Sequence, residues 1–231
     1  MKILLFIISL FFLLESPVAA ETVKTVSEGN EYGGPTKEIT YARDEEEFKA
    51  ILKTVIYLDR NEKELKREIY YTAQASGETG VNKSTTYFDE LKRATRMDVY
   101  YDDAHALKKG IRKMAVFFDN EGRKVRFEYD YTTEFADKNG VSRSVEYAGD
   151  NERTTRSEKF YTAKFINEVG IDKMTVYYDS DEKVTKEEYS YTGRAADERG
   201  FSTMVIYFDN EGKEIKAEYY KNNRLIKMTF P

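Results

Sequence analysis

Cysteine and tryptophan are absent from this sequence, and histidine occurs once, as His105. Without cysteine the chain has neither disulfide bonds nor a cysteine-linked lipid anchor, so its stability must come from packing and sheet hydrogen bonds. A catalytic or metal-binding role for His105 would need partners at fixed spacing, and none is visible, so the common zinc sites and nucleophile–base triads are unsupported. We therefore predict no catalytic residue, no metal site and no cofactor, and we interpret His105 as a packing or surface residue.

Strongly basic segments and long apolar runs are also absent. The 37 lysines and arginines are outnumbered by 42 acidic residues, which gives a net charge of −5 and argues against a nucleic-acid partner. The apolar run at residues 3–14 is shorter than the ~20 residues that span a bilayer. Lys2 before this run and small residues at 18–20 after it are typical of a signal peptide, here residues 1–20. We expect a secreted or periplasmic protein whose mature chain has no stable membrane insertion.

Tyrosine, in contrast to tryptophan, is abundant, with 19 residues in the chain. Its ring fits a half-buried, pleated surface where one end is dry and the other is wet. Apolar residues make up 40% of the chain and charged residues 34%, enough for a thin core beneath a highly charged surface. These proportions predict sheets with at least one face in water.

A period of 30 residues organises the chain without an insertion, and such a period is the signature of a repeat architecture. An aromatic residue recurs at Tyr57, Tyr87, Phe117, Tyr147, Tyr177 and Tyr207. Tyrosine recurs at Tyr71, Tyr101, Tyr131, Tyr161 and Tyr191, and glycine at Gly80, Gly110, Gly140, Gly170 and Gly200. A basic residue recurs at Lys66, Arg96, Arg126, Arg156, Lys186 and Lys216, and an acidic one at Glu68, Asp98, Glu128, Glu158, Glu188 and Glu218. The period predicts six copies of one unit, at residues 51–80, 81–110, 111–140, 141–170, 171–200 and 201–231.

Each copy has the pattern of a β-hairpin. In the third copy the first strand is expected at residues 113–119, the turn at 120–122 and the second strand at 123–131. A three-residue turn that ends in glycine is typical of a hairpin with a left-handed bulge residue. This turn is expected to place Asp119 opposite Arg123, a pairing of opposite charges that supports the register.

The same register predicts two unlike faces on the hairpin. On face A, expected to be the better buried, the facing pairs are Phe117 and Val125, Ala115 and Phe127, and Ile111 and Tyr131. Face B would combine the apolar Val116 with the charged Arg126 and Glu128, so that the stem of Arg126 covers Val116.

Short helical turns are expected between the hairpins. The connecting segments begin at good N-cap residues, such as Thr132 and Thr162, and end at the glycine column, where a left-handed C-cap is easiest. Phe135, Phe165 and Ile166 would pack these turns onto the sheet. The predicted fold class is therefore all-β: an extended array of six 30-residue antiparallel β-hairpin repeats with short helical turns between hairpins.

The two ends of the array are expected to act as caps. Residues 21–50 are interpreted as a flexible lead-in, at 21–35, followed by a degenerate half repeat that carries Glu38 and Tyr41 and by an acidic helix at 44–52. At the other end, residues 221–224 predict a tight turn. The turn would return residues 225–230 along the last strand and pair Glu218 with Lys227.

The run at residues 207–213, with the sequence YFDNEGK, continues to Tyr219 and Tyr220. It resembles the hairpin repeats of the MORN and YD-repeat types, which place an aromatic–Asp or aromatic–Asn step before a glycine turn and a second aromatic residue after it. The resemblance covers residues 51–224. It implies an elongated β-array used in scaffolding or envelope contacts, and it implies no reaction.

The tyrosine column is the candidate ligand-binding site. Its members are Tyr71, Tyr101, Tyr131, Tyr161 and Tyr191. The column fits two interpretations: sheet packing, or an exposed stripe that docks polysaccharide, peptidoglycan or an extended peptide. A repeating ligand would match a repeating surface, and weak contacts would add through avidity.

Two other functions stay open. A glycosidase-like enzyme would use one special carboxylate pair, whereas the acids here repeat in step with the fold. A small outer-membrane β-barrel would need strands of about 9–11 residues, longer than residues 113–119. Calcium binding is disfavoured because the Asp-Asn-Glu-Gly turns lack the alternating ligands of an EF-hand loop. Gly149 is the one break in the turn-aspartate column, so a pocket that breaks the repeat is expected first in the fourth copy.

These observations together predict a non-catalytic exported repeat protein. It would serve as a binding or scaffolding surface in the cell envelope or outside the cell, with a protein or polysaccharide partner.

Overall fold

The computed structural model describes residues 21–26, 29–41, 50–149 and 151–231. Within them the strands are antiparallel and follow one another in chain order, with short helices between hairpins. The predicted all-β hairpin array is therefore confirmed. The predicted signal peptide at residues 1–20 lies outside the described residues.

Strands and helices alternate with the period of the sequence. The strands are β1 (Glu21–Val26), β2 (Gly33–Tyr41), β3 (Ile51–Asp59), β4 (Glu64–Tyr71), β5 (Val81–Phe88), β6 (Ala94–Tyr101), β7 (Ile111–Phe118), β8 (Lys124–Tyr131), β9 (Val141–Ala148), β10 (Thr154–Tyr161), β11 (Ile171–Tyr178), β12 (Val184–Tyr191), β13 (Thr203–Phe208), β14 (Glu214–Lys221) and β15 (Arg224–Thr229). The helices are α1 (Ala73–Thr79), α2 (Asp103–Lys109), α3 (Thr133–Asn139), α4 (Ala163–Val169) and α5 (Gly193–Arg199).

The chain divides into two compact units, and the boundary falls within β6. The first unit ends at Ala94 and also includes Val99–Asp102, whereas the second consists of Thr95–Asp98 and Asp103–Pro231. In the first unit each strand from β1 to β5 pairs with the next. In the second unit the same is true from β7 to β15.

In five of the six repeat hairpins the turn aspartate closes the turn through its side chain. One carboxylate oxygen of Asp119 accepts the backbone N–H groups of Glu121 and Arg123, both at 2.9 Å. The Arg123 guanidinium donates to the other oxygen at 2.8 Å, so the predicted pairing of Asp119 with Arg123 is confirmed. At Gly149 the backbone alone keeps this turn, because its N–H still donates to Arg153 at 2.9 Å.

The predicted register of the strands needs a correction of one residue. Phe117 lies opposite Arg126 and not opposite Val125, because a bulge after the turn inserts one extra residue into β8. A one-residue slip moves every following side chain to the other face. A second irregularity near the start of β7 shifts the register back by one residue, so the predicted pairing of Ile111 with Tyr131 is confirmed.

The corrected register gives each hairpin an apolar face and an ionic face. On the apolar face of the third copy, Val116 lies opposite Phe127 and is 1% exposed. The ionic face is the opposite side of the sheet, and it carries Phe117, Arg126, Glu128 and the residues in register with them. The predicted pairing of Phe127 with Ala115 on face A is therefore wrong, as is the predicted covering of Val116 by Arg126.

The short helices pack onto the sheet, as predicted, and the stacks of Phe135 on Tyr131 and of Phe165 on Tyr161 place them on its apolar face. The hydroxyl of Thr132 accepts the N–H of Phe135 at 3.3 Å, and Gly140 ends α3 with a φ of 74°. The Phe135 ring stacks on Tyr131 with ring centroids 4.5 Å apart. A Cβ added at Gly110 would lie 2.3 Å from the Phe135 ring. The glycine column is thus required both by its backbone conformation and by the close approach of the next helix.

The N-terminal segment is more ordered than the sequence pattern indicates. Residues 21–26 form β1, which pairs with β2, and Gly33 already belongs to β2. The lead-in predicted for 21–35 is therefore strand over much of its length, because pairing through backbone hydrogen bonds does not need the side-chain period. The helix predicted at 44–52 is wrong at Ile51 and Leu52, which belong to β3, and residues 44–49 lie outside the described residues.

The C-terminal turn forms as predicted, with Asn222 at a φ of 50° and Asn223 at 60°, a conformation that asparagine tolerates. The pairing beyond it differs, because an irregularity in β15 shifts the register. Glu218 lies opposite Met228, not opposite Lys227.

Candidate binding surface on the ionic face

The ionic face carries three rows of side chains that run across the strands. In the second unit the aromatic–cation row consists of Arg96, Phe117, Arg126, Tyr147, Arg156, Tyr177, Lys186, Tyr207 and Lys216. The carboxylate row consists of Asp98, Ala115, Glu128, Val145, Glu158, Thr175, Glu188, Val205 and Glu218. The outer row consists of Lys113, Asp130, Arg143, Phe160, Lys173, Ser190, Thr203 and Tyr220.

In the aromatic–cation row, each ring lies beside a positive charge. The Arg126 guanidinium lies 3.7 Å from the centroid of the Phe117 ring, and the Arg156 guanidinium lies 3.8 Å from that of Tyr147. The Lys186 ammonium lies 3.7 Å from the centroid of Tyr177. Contacts at these distances are attractive because the face of an aromatic ring is electron-rich. They hold the long cationic side chains in a fixed order across the strands.

Acids of the carboxylate row are held between cations of the two neighbouring rows in several copies. Glu128 lies between Arg126, at 3.1 Å, and Arg143, at 2.8 Å. Asp98 lies between Arg96, at 2.6 Å, and Lys113, at 2.9 Å, and its side chain is only 1% exposed. The residues between successive acids are small, which leaves room for the flanking cations to reach each carboxylate.

Tyrosine hydroxyls complete the carboxylate row in the sixth copy. The Glu218 carboxylate accepts hydrogen bonds from Tyr220 at 2.6 Å, from Lys216 at 2.9 Å and from Tyr207 at 2.8 Å. The hydrogen bonds from Tyr220 and Lys216 lower the pKa of Glu218 to about 2. Burial, together with the hydrogen bond to this carboxylate, raises the pKa of Tyr207 to about 12. Glu218 is therefore ionised near neutral pH, and donors hold it on both of its flanks.

The first unit shows the same arrangement around Glu68. Its carboxylate accepts hydrogen bonds from Tyr70 at 2.8 Å and from Lys83 at 3.3 Å. Burial alone would raise the pKa of Glu68, but these two donors lower it. Lys66 lies 3.7 Å from the centroid of the Tyr57 ring. The rows are thus a property of the repeat and not of one copy.

The cations of these rows remain accessible from outside. The side chains of Arg126 and Arg156 are 35% and 36% exposed, and that of Arg143 is 41% exposed. In the second unit, the three rows hold eight lysines or arginines against six aspartates or glutamates. The ionic face of this unit is therefore net positive, although the chain as a whole is acidic.

The predicted tyrosine column lies on the other side of the sheet, on the apolar face. Tyr131 stacks on the helical Phe135, and its hydroxyl lies 2.8 Å from that of Ser144. Tyr161 makes the equivalent stack at 4.5 Å, and Tyr191 is 8% exposed. The hydroxyls of Tyr71 and Ser84 are 3.1 Å apart, and Tyr101 is half-buried on the same face, where burial raises its pKa. These are contacts of sheet packing, and ligand binding by this column stays a prediction.

The sequence pattern shows the columns that form the ionic face, but it does not show that these columns share one face. The columns of Lys66 and Glu68 and of the aromatic Tyr57 were visible from the period. Their common face depends on the bulge after the turn, which places Tyr57 opposite Lys66. Along the aromatic–cation row a ring alternates with a cation, and along the carboxylate row an acid alternates with a small residue. This alternation is the signal in the sequence that indicates the correct register.

The described residues give little support to a metal site or to the general acid of a glycosidase. No group of three or more histidines, aspartates and glutamates there is placed to hold a metal ion. The carboxyl groups whose pKa is perturbed there (Glu68, Asp89, Asp119 and Glu218) are all shifted downward. The general acid of a glycosidase needs the opposite shift. No helix in the described part of the chain is long and apolar enough to cross a membrane.

No family model and no curated protein matches this chain. Among solved structures it is similar to a porin-like protein from Bacteroides uniformis, with a TM-score of 0.21 and 12% identity. The alignment covers 91% of this chain and 96% of that chain. A likeness this low carries no argument about fold or function, and the resemblance to MORN and YD repeats stays a prediction.

Proposed function

We propose that this chain is a non-catalytic exported repeat protein whose ionic face serves as a binding or scaffolding surface in the cell envelope or outside the cell. The observation that carries the proposal is the aromatic–cation row. Its rings and cations recur in the same order in successive hairpins, and cations such as Arg126 and Arg156 stay about one-third exposed.

The spacing of this row suits an extended partner with its own repeat. Equivalent residues of neighbouring copies lie two strands apart, or about 10 Å for strands about 4.8 Å apart. Each cation is already engaged with a ring or a carboxylate, so a single contact with a partner would be weak. Several such contacts made at once add through effective concentration. A regular surface of weak contacts therefore favours a long partner over a small ligand.

The charge of the face indicates the chemistry of that partner. The ionic face of the second unit is net positive, while the whole chain carries −5. Complementary potentials steer association and select partners. We therefore expect an anionic, repetitive partner, and an acidic envelope polysaccharide is the partner to test first.

The test is a binding measurement on the mature chain, residues 21–231, with immobilised acidic polysaccharide. The variant Arg126→Gln/Arg156→Gln/Lys186→Gln removes three cations from the row, but Glu128 keeps Arg143 at 2.8 Å and Glu158 keeps Lys173 at 3.8 Å. A matched control removes three cations from exposed helix positions, namely Lys108→Gln/Lys138→Gln/Arg194→Gln.

Because the row acts through charge, wild-type binding should weaken as salt rises. The ionic-face variant should bind at least tenfold more weakly than the helix variant at equal net charge, with both folded by circular dichroism. Equal binding by the two variants would mean that net charge, and not the ionic face, determines recognition.

A further inference from the structure

Glu188 is the exception within the carboxylate row. Each of the other acids that the repeat places there has a lysine or arginine nitrogen within ion-pair distance: Glu68, Asp98, Glu128, Glu158 and Glu218. In the described part of the chain, Glu188 makes neither an ion pair nor a hydrogen bond. Lys186, the counterpart of Lys216, lies over the Tyr177 ring at 3.7 Å, as Lys216 lies over Tyr207 at 4.0 Å, but it makes no ion pair with Glu188.

The sequence explains why Glu188 lacks its cation. The outer row carries a cation in the first strand of five copies, at Lys53, Lys83, Lys113, Arg143 and Lys173. In the sixth copy this position is Thr203, which faces Ser190 on the neighbouring strand. Strand β13 begins only at Thr203 and has six residues, whereas β11 has eight. The sixth copy therefore has no lysine or arginine at the outer-row position that serves the carboxylate in the other copies.

A second observation at the same place concerns Thr175, which lies directly opposite Glu188 on β11. Thr175 is 1% exposed, and its hydroxyl oxygen is buried without a hydrogen-bond partner. Buried polar groups in proteins are nearly always hydrogen-bonded. The equivalent hydroxyl of Thr85 is also unpaired, but Thr85 lies opposite Glu68, which has its cation, whereas Thr175 lies opposite Glu188, which has none. Cross-strand neighbours have their Cβ atoms about 5 Å apart, which puts the hydroxyl within reach of a group bound to Glu188.

Tyr177 supplies a third polar group at this place. In the neighbouring copies the equivalent hydroxyls bond to the acid of their own hairpin: Tyr147 donates to Glu158 at 3.3 Å, and Tyr207 to Glu218 at 2.8 Å. Tyr177 makes no such bond in the described structure, although it occupies the same position of the row. One carboxylate without a cation and two hydroxyls without hydrogen-bond partners in the described part of the chain therefore lie at neighbouring positions of the ionic face.

We propose that Glu188, Thr175 and Tyr177 bind an ammonium group supplied by another molecule, either a lysine side chain of a protein or a small primary amine. An ammonium group has three N–H donors, which match the carboxylate and the two hydroxyl oxygens. A calcium ion would need six or more oxygen ligands, more than this site offers. The site is opposite in charge to the rest of the ionic face, so it does not depend on the proposed polyanion binding.

The experiment is an NMR titration of the mature chain, observed at Thr175, Tyr177 and the Glu188 carboxyl carbon. The probes are n-butylammonium, with n-butanol as the uncharged control, and a blocked Gly-Lys-Gly peptide, with its Nε-acetylated form as control. Wild type should show saturable shifts at these three residues with the charged probes only. Tighter binding of the peptide would identify a protein lysine as the source of the ammonium, and tighter binding of the alkylamine a small amine.

Two variants test the site from opposite directions. Glu188→Gln removes the negative charge, whereas Thr203→Lys supplies the missing repeat cation from within the chain. Both should weaken ammonium binding at least tenfold, and Thr203→Lys should also raise the melting temperature, which separates occupancy of the site from loss of fold. Absence of saturable shifts in wild type would overturn the proposal, as would undiminished ammonium binding by Thr203→Lys. Polysaccharide binding is measured separately, so either proposal can fail alone.

Discussion

Neutralising Asp98 should destabilise the protein far more than neutralising Glu128, although both occupy the carboxylate row. The Asp98 side chain is 1% exposed, and that of Glu128 is 18% exposed. Removing one partner of a buried ion pair costs about 3–5 kcal/mol because a charge is left without compensation. Arg96, which is 36% exposed, can recover part of its hydration, so we expect the lower end, about 3 kcal/mol.

Glu128→Gln breaks the ion pairs with Arg126 and Arg143, which lie nearer the surface. Exposed pairs contribute about 0–1 kcal/mol each, so the expected loss is about 1 kcal/mol in total. For a chain of this size, 1 kcal/mol shifts the melting temperature by about 2–4 °C. Asp98→Asn should therefore lower the melting temperature by about 6–12 °C, and Glu128→Gln by about 2–4 °C.

The assay is thermal unfolding of the mature chain followed by circular dichroism, with both variants at the same pH and salt. Asparagine and glutamine keep the size of the side chain, so the comparison isolates the charge. Equal shifts for the two variants would refute the reasoning that burial of the carboxylate sets the strength of the row.

Three further predictions follow from other parts of the fold. Gly110→Ala should lower the melting temperature more than Gly122→Ala, because a Cβ at Gly110 would lie 2.3 Å from the Phe135 ring while nothing lies within 4 Å at Gly122; equal effects would contradict the packing role. The pKa of Glu218 is lowered from 4.5 to about 2. Its contribution to stability is therefore complete above about pH 4.5 and is lost as the pH falls towards 2. Glu218→Gln should remove this part of the acid dependence of the unfolding free energy. Tyr131→Phe should cost about 1 kcal/mol in urea unfolding for its lost hydrogen bond, and Tyr131→Ser at least about 3 kcal/mol for its lost packing.

The regular part of the fold was predictable because it depends on local patterns. The turn needs Asp119 and a residue that accepts positive φ, and the helices need a threonine before them and a glycine after them. Both signals recur with the 30-residue period, apart from Gly149 in the turn column and Asp102 in the threonine column. Strand order follows from the short connections, because consecutive hairpins can only pair with their neighbours.

The ionic face was harder to predict, because the bulge after the turn is a backbone feature without a distinctive residue. Val125 in the third copy corresponds to Leu65 in the first and Thr155 in the fourth, and these residues share no common chemistry. Without the bulge, every side chain of the second strand is assigned to the wrong face. The tyrosine column was then the most conspicuous candidate, although Tyr131 lies beneath a helix.

The exception at Glu188 was also present in the sequence. Thr203 interrupts a column that holds lysine or arginine in the other five copies. The interruption becomes meaningful only when the outer row is known to flank the carboxylate row, which again requires the corrected register.

The central claim is this register, and the absence of cysteine from the chain allows it to be tested directly. Residues that face each other across antiparallel strands lie within the Cα separation that a disulfide bond requires. Ala115 faces Glu128 and not Phe127, so the double variant Ala115→Cys/Glu128→Cys should form an intramolecular disulfide on mild oxidation. The double variant Ala115→Cys/Phe127→Cys should not, because its two thiols lie on opposite faces. Cross-linking of the second variant but not of the first, measured by mass spectrometry, would contradict the ionic face altogether.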